Sequence, residues 1–508
     1  MRFPSGLSRE VAATQPGQAA GRRWHDRAKM VMLRIVDTGA ATMTGRESPS
    51  SQTEILLVSC YELGHQPMGL ASPMAFLARA GFPVSAIDVS VDPWENLDED
   101  RIRGARLVAI SVPMHTALRL GTRVAGRVRA LSPGCHICFY GLYASLNADY
   151  LLANGADSVL GGEYEQSLVT LAQALDEDVE DTTTPVAAPV LERLAFPVPR
   201  RSGLPPLERY AHLDRNGHFG LVGYVEASRG CLHLCRHCPI PPVYKGRFFV
   251  VPKEVVLADI RQLVEAGASH ITFGDPDFLN GPGHSMAIAR ALHRLYPQVT
   301  FDFTAKVEHL LKHRSLLTEL GQLGCIFVVS ALESLSDEVL CELDKGHTRE
   351  DAIEAVHLLR RAGISPRPTW VAFTPWTTLR DYIDVLDWIE EEELVDHVDP
   401  VQFTVRLLVP PGSALLGRAS IQPYLEALAP ESFTHPWTHP DPRMDALHAR
   451  VSALVEDAVD SKQDPVVTFA RIRDLAWSLE GETPSSVPRR PVAADRARAP
   501  RLTEAWFC

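Results

Sequence analysis

Two blocks of short apolar runs, each alternating with longer segments whose apolar residues recur at helical spacing, restrict the fold of this chain more than any other feature. Runs too short for a helix read as buried strands, and the intervening helical segments are long enough to carry the chain from one parallel strand to the next. The first block opens on Glu54-Ile-Leu-Leu-Val-Ser-Cys60, with further strands expected at 84–89, 105–112, 136–140 and 158–160 and helices over 74–80 and 118–131. That is the pattern of a doubly wound parallel sheet. In the second block strands are expected at 220–228, 269–274, 299–304, 325–330, 369–373 and 400–407. Helices are expected between them at 252–265, 284–295, 315–323, 349–361 and 378–391. Six such units read as a partial (β/α)6 barrel, whose chemistry belongs at the carboxyl ends of its strands.

Composition places the boundaries. Residues 1–52 are rich in Arg, Ala, Gly, Ser and Thr without a sustained period and read as a disordered extension, within which Met43 offers an alternative start. The Rossmann-like unit spans 53–175. Asp176-Glu-Asp-Val-Glu-Asp-Thr-Thr-Thr-Pro185 opens a proline-bearing linker over 176–206. The barrel occupies 207–415, a helical region 416–480, and a flexible tail 481–508 ends in Cys508.

At 508 residues with 45% hydrophobic and 22% charged content, the chain reads as a globular protein of several parts. Its net charge of -13 disfavours nonspecific attraction to nucleic acid or anionic lipid. No apolar stretch approaches the roughly 18 to 20 residues of a membrane span, and no apolar signal core opens the chain, so a cytoplasmic location is expected. Nine cysteines, an odd number, do not suit a secreted disulfide framework.

Three of those cysteines lie in Glu226-Ala-Ser-Arg-Gly-Cys-Leu-His-Leu-Cys-Arg-His-Cys-Pro239, at the end of the first barrel strand. Cys231, Cys235 and Cys238 can ligate three irons of a cubane cluster and leave the fourth open for chemistry. The alternatives are a zinc knot or three unrelated buried cysteines. Structural zinc wants four ligands, and no Cys-x-x-Cys partner pair or paired His motif stands nearby, although His233 and His237 do.

The motif and its setting resemble the radical S-adenosylmethionine enzymes. The resemblance implies a [4Fe-4S] cluster on Cys231, Cys235 and Cys238 whose open iron chelates S-adenosylmethionine and splits it to a 5'-deoxyadenosyl radical. His237 then lies near the adenine, Gly274 with Asp275 or Asp277 meets the amino group, and Glu333-Ser334 meets the methionine or ribose portion. Helix capping is the competing reading of Asp277 and Glu333. The preceding unit looks like the cobalamin-binding domain of one branch of that family, which implies cobalamin against Ser111, His115, Gly141, Gly162 and Glu163. An Asp-x-His-x-x-Gly signature is absent; Tyr61-Glu-Leu-Gly-His65 stands in its place, and a domain that keeps only the fold remains an alternative. Cys135 and Cys138 spell Cys-x-x-Cys on an apolar strand and read as buried structure.

Asp399-Pro-Val-Gln-Phe-Thr-Val-Arg-Leu-Leu-Val-Pro-Pro-Gly-Ser413, Lys345-Gly-His-Thr348 and Gly274-Asp-Pro-Asp-Phe-Leu-Asn-Gly-Pro282 are similar to one bacterial subgroup, named for a Cys-Cys-Ala-Glu-Pro or Cys-selenocysteine-Ala-Glu-Pro tail. There the tail follows a segment like Arg501-Leu-Thr-Glu-Ala-Trp-Phe-Cys508, which implies a truncation at a selenocysteine codon and a redox or thiolate role for Cys508. The resemblance points to radical methyl transfer to an unactivated centre. Hydrogen abstraction with rearrangement or C-S or C-Se bond formation is the alternative, and a catalytically dead metal-binding module is a third reading. The implied partners are a small-molecule or peptide substrate and a flavodoxin- or ferredoxin-type reductant, with neither nucleic acid nor membrane.

Overall fold

The computed structural model describes residues 54–92, 99–177, 188–481, 496 and 498–504. The expected extension, most of the tail and Cys508 lie outside the described residues. Strands β1 (Ile55–Ser59), β2 (Val84–Asp88), β3 (Leu107–Ser111), β4 (His136–Tyr140) and β5 (Ser158–Leu160) form a wholly parallel sheet in the order β2-β1-β3-β4-β5. β1 and β3 are buried along their whole length because helices cover both faces of the sheet, which is why their sequences are continuous apolar runs rather than alternating ones. The order reverses between β1 and β3, where ligands of such sheets collect.

The second sheet is a curled half-barrel. β6 (His212–Arg215) and β7 (His218–Val225) are antiparallel, and β10 (His270–Phe273), β11 (Thr300–Ala305), β12 (Cys325–Glu333) and β13 (Ser365–Trp370) follow β7 in parallel. β14 (Arg501–Leu502) adds antiparallel to β6, closing the order β13-β12-β11-β10-β7-β6-β14. A separate ribbon of β8 (Ser228–Gly230) and β9 (Phe248–Val250) frames the cysteine loop. The core lies between the convex side of the sheet and its helices, with Ile271, Phe273, Phe301, Phe303 and Val328 fully enclosed.

Several expectations need correction. The first helix begins at Met68 rather than 74 and carries Pro73 within it. The strand expected at 369–373 is shifted to Ser365–Trp370, a stretch whose Pro366 and Pro368 argue against a strand until its place is known. β13 is an edge strand, so missing N–H groups cost it no ladder bonds on the open side. The sixth strand, expected at 400–407, is a 3-10 turn over Pro400–Thr404 with a single bridge from Phe373 to Arg406, since Pro400 pre-sets a turn. Residues 188–206, read as linker, are pinned: Val190 bridges Gly162, and Arg201 pairs with buried Asp259 at 2.8 Å.

The helical region after residue 416 opens with turns and then forms Pro442–Asp460 and Pro465–Glu480. Its turn at Ser432-Phe433 reaches across to the first domain, where Phe433, 2% exposed, joins the cluster of Leu118 and Tyr143. No described helix is long and apolar enough to cross a membrane. Phe433→Ala should lower the stability of the first domain by about 3 kcal/mol, read as an earlier first transition in urea.

Candidate functional site

The cysteine loop hangs from the carboxyl end of β7 and is held from every side. Gly230 sits at φ +72°, and a Cβ there would lie 2.4 Å from the Arg247 carbonyl, so only glycine lets the chain turn into Cys231. Arg236 donates from its backbone to the Leu343 carbonyl at 2.9 Å and from its side chain to the Cys341 carbonyl at 2.9 Å, tying the loop to the end of helix Asp337–Leu343. Leu232 N–H donates to Asn280 Oδ1 at 3.3 Å, and Cys238 N–H to the Cys235 carbonyl at 3.2 Å.

All three cysteines are free thiols. Burial pushes the Cys231 thiol up and that of Cys238 up to about 12, and the neighbouring cysteine sulfurs add to both shifts. Three sulfurs within electrostatic reach, none bonded to another, suit a metal cluster that replaces their protons. Asn280 Nδ2 is buried beside Cys231 without an acceptor, which a cluster sulfide would supply. The loop therefore fits a cubane cluster.

Next to the loop stands a buried ion pair. Glu333 ends β12 at φ +67°, and Lys345 Nζ lies 3.2 Å from its Oε1 while His237 Nε2 lies 3.3 Å from the same oxygen. Burial alone would raise this carboxyl, but the Lys345 ammonium and His237 hold it down to about 2. Ser334 Oγ accepts from Ser336 N–H at 3.0 Å. His237 Nδ1 and both ring nitrogens of His347 are buried without partners in this cup. These orphans, beside a fixed carboxylate and ammonium, fit a polar zwitterionic ligand such as S-adenosylmethionine.

Gly274, Asp275 and Asp277 face inward. The space a Gly274 side chain would fill holds the Tyr224 ring, whose hydroxyl is 2.0 Å from the ideal Cβ. Asp275 accepts from Ala227 N–H at 2.9 Å and from the Ser228 hydroxyl, and burial pushes its carboxyl up to about 7. Asp277 caps the turn Phe278–Asn280 through Leu279 N–H and also accepts from Lys306 N–H and His309. Both carboxylates thus brace the rim from within.

The proposed corrin loops lie at the carboxyl edge of the first sheet, against the barrel. His115 Nε2 is 2.8 Å from the Ser432 carbonyl, and His65 stacks on Tyr224 at 4.6 Å with Nε2 3.5 Å from Glu504. Ser111 Oγ fills the space beside Gly69, Gly141 turns at φ +109°, and Gly162 at φ +68° passes under the Val190 carbonyl. Ser59 and Ser145, at β1 and after β4, carry buried hydroxyls without partners, which suits a polar ligand at that edge.

Glu163 follows β5 and binds across the domain interface. Arg229 Nη1 is 3.6 Å from Glu163 and 2.5 Å from Glu165, its Nε donates to Glu226 at 2.7 Å, and the Tyr244 hydroxyl donates to Glu163 at 3.1 Å. Burial pushes the Glu163 carboxyl up to about 7 against the pull of Arg229. Arg229, Lys345, His347 and Asn280 carry no role in the sequence reading. The signal for two of them was the quoted run Lys345-Gly-His-Thr348.

Residues 225–389 match the family model described as the Radical SAM superfamily. The chain carries a radical SAM domain. A tRNA-2-methylthio-N(6)-dimethylallyladenosine synthase of Desulfosudis oleivorans is 26% identical over 201 residues, 38% of this chain and 42% of its own. The ribosomal protein uS12 methylthiotransferase RimO of Chlorobium chlorochromatii is 24% identical over 184 residues, 33% of this chain and 40% of its own. The chain spans about two fifths of the length of these curated relatives. Among solved structures, the cobalamin-dependent S-adenosylmethionine radical enzyme OxsB with aqua-cobalamin bound superposes with a TM-score of 0.64 at 14% identity, over 86% of this chain and 74% of that one. The radical S-adenosylmethionine methyltransferase TsrM from Kitasatospora setae, with cobalamin and a [4Fe-4S] cluster bound, gives 0.54 at 18%, over 67% and 70%. The radical SAM family uses a [4Fe-4S] cluster and S-adenosylmethionine, and both of these neighbours share the two-domain α/β fold.

Lys345→Met leaves Glu333 buried without its cation and should cost about 3–5 kcal/mol of stability at pH 7 in chemical denaturation. Glu333 has a folded pKa near 2 against an ordinary 4.5, so its contribution is complete above the ordinary value and is lost as pH falls through 2. The gap between wild type and variant should therefore narrow between about pH 5 and pH 2.

Proposed function

We propose that this radical SAM domain and the sheet before it act together as a cobalamin-dependent enzyme that transfers a methyl group to an unactivated carbon or phosphorus centre. One observation carries the reading: Arg229, two residues before Cys231, is bound to Glu163 and Glu165 just after β5. The cysteine loop and the ligand edge of the first sheet are thereby held against one another, as a methyl relay between two cofactors requires. The cobalamin bound in both structural neighbours supports the same arrangement.

When bound, the cluster supplies the electron that splits S-adenosylmethionine to a 5'-deoxyadenosyl radical, and cobalamin supplies a carrier for the methyl group. The chain's own residues do the positioning. Cys231, Cys235 and Cys238 would hold the cluster. Glu333 and Ser334, with Lys345, His237 and His347, would orient S-adenosylmethionine by charge and by their unpaired ring nitrogens. Gly274, Asp275 and Asp277 brace the rim. Ser111, His115, Gly141, Gly162, Glu163 and the hydroxyls of Ser59 and Ser145 would border the corrin, with His115 Nε2 held by the Ser432 carbonyl. Cys508 is assigned a thiolate or redox role at the end of the tail, with a flavodoxin- or ferredoxin-type reductant, a small molecule or peptide as substrate, and a cytoplasmic setting.

The methylthiotransferase relatives favour a second reading, hydrogen abstraction followed by C-S or C-Se bond formation. Among the described residues no second cysteine trio stands beside the first: Cys60, Cys135, Cys138 and Cys325 are buried in the two sheets, and burial pushes the Cys135 thiol up to about 11 and that of Cys138 up to about 12.

Anaerobic reconstitution with iron, sulfide and hydroxocobalamin, followed by reduction and addition of S-adenosylmethionine, should yield both 5'-deoxyadenosine and S-adenosylhomocysteine by mass spectrometry. The second product should require cobalamin. Cys235→Ala should abolish cluster absorbance and both products. Deoxyadenosine alone selects the second reading, and zinc in place of iron with no product overturns both.

A further inference from the structure

His233 lies within the cysteine loop, and its ring faces Asp277 and His309. Its Nδ1 is 3.5 Å from Glu308 Oε2, and its Nε2 is 3.9 Å from Asp277 Oδ2, buried and without a hydrogen-bond partner. The buried Nε2 thus stands across from a carboxylate oxygen, too far for a hydrogen bond and with no other partner. A cation between them would satisfy both groups. His309 completes the group. Its Nδ1 is 2.9 Å from the same Asp277 oxygen, its ring is 4.5 Å from that of His233, and it is buried, as is Asp277.

We propose that His233, Asp277 and His309 form a second metal site, separate from the cysteine sulfurs, for a first-row divalent cation. One nitrogen from each histidine and one carboxylate oxygen lie within 4.8 Å of one another. Two histidines and one carboxylate, with positions left open, suit zinc, iron or manganese rather than calcium. The 2.9 Å separation of His309 Nδ1 from Asp277 Oδ2 is that of neighbouring ligands about 2.1 Å from one ion. Binding exchanges one proton for the cation: the proton shared by His309 Nδ1 and Asp277 leaves to solvent, and the freed lone pair takes the metal. Glu308 then serves His233 as the carboxylate partner that metal-bound histidines commonly have. Lys306, 3.5 Å from Glu308, offsets part of the negative charge.

Such an ion would join the cysteine loop to the turn after β10 through Asp277 and to the helix Val307–Lys312 through His309. The test uses the reconstituted protein, incubated with Zn2+ and desalted, with zinc and iron counted by mass spectrometry. One zinc is expected beyond the cluster iron in wild type and none in His309→Ala, while Glu308→Gln should weaken zinc binding about 10- to 100-fold. A second measurement removes the sulfurs. In Cys231→Ser/Cys235→Ser/Cys238→Ser protein of unchanged far-UV circular dichroism, Co2+ should bind at one equivalent with weak visible bands and no thiolate charge transfer. His233→Gln in that background should abolish those bands. Failure of the folded triple variant to hold Co2+, or zinc counts equal in wild type and His309→Ala, would overturn the site. Neither result touches the cleavage of S-adenosylmethionine, so the two readings fail separately.

Discussion

A buried guanidinium ties the two halves of this protein together. Arg229 is surrounded by Glu163, Glu165 and Glu226, two of them from the first domain, and its charge is stabilised by theirs although burial opposes it. Ion groups of this kind add little to net stability, because desolvation offsets much of the attraction; what they impose is geometry. Taking Arg229 away would strand the two buried carboxylates Glu163 and Glu165 out of water, which penalises a different orientation of the two domains. The cysteine loop begins two residues later and inherits that constraint. Phe196 closes over the guanidinium at 5.0 Å, which brings residues once expected to be loose linker into the same assembly.

The arrangement of the cup around Glu333 follows from similar physics on a smaller scale. A glutamate at positive φ at the end of a strand stores backbone strain, and such positions persist where the surroundings over-determine them. Lys345 and His237 do so here by converging on one carboxylate oxygen. The unpaired nitrogens of His237 and His347 are left facing the same space, an arrangement that costs the empty protein and favours a ligand able to satisfy it.

Much of the architecture was legible because buried parallel strands must be apolar and the crossovers between them helical. β1, β3, β4 and β12 announce themselves by continuous Ile, Leu, Val and Phe. β13 was misplaced because Pro366 and Pro368 carry the wrong local signal, and only its place at the sheet edge makes them harmless. β14 is two residues long and finds its partner β6 far back along the chain, which no periodicity reveals. The cysteine loop was legible because three ligands sit within eight residues, Cys231 to Cys238. Arg229 was not, since its meaning comes from Glu163 and Glu165, which follow a strand of the other domain. His309 was hidden for the same reason: its partner Asp277 comes from the preceding strand-to-helix turn.

The pairing of β14 with β6 bears on how the protein is made. Until residues 501 and 502 emerge during synthesis, β6 presents an open row of backbone donors and acceptors at the rim of an otherwise finished half-barrel. Leu502 seals the concave cluster of Leu213, Val222 and Phe327 at the same moment. A chain whose β6 edge is still unpaired is a template for association with its neighbours, so this late pairing guards the half-barrel against joining another copy edge to edge.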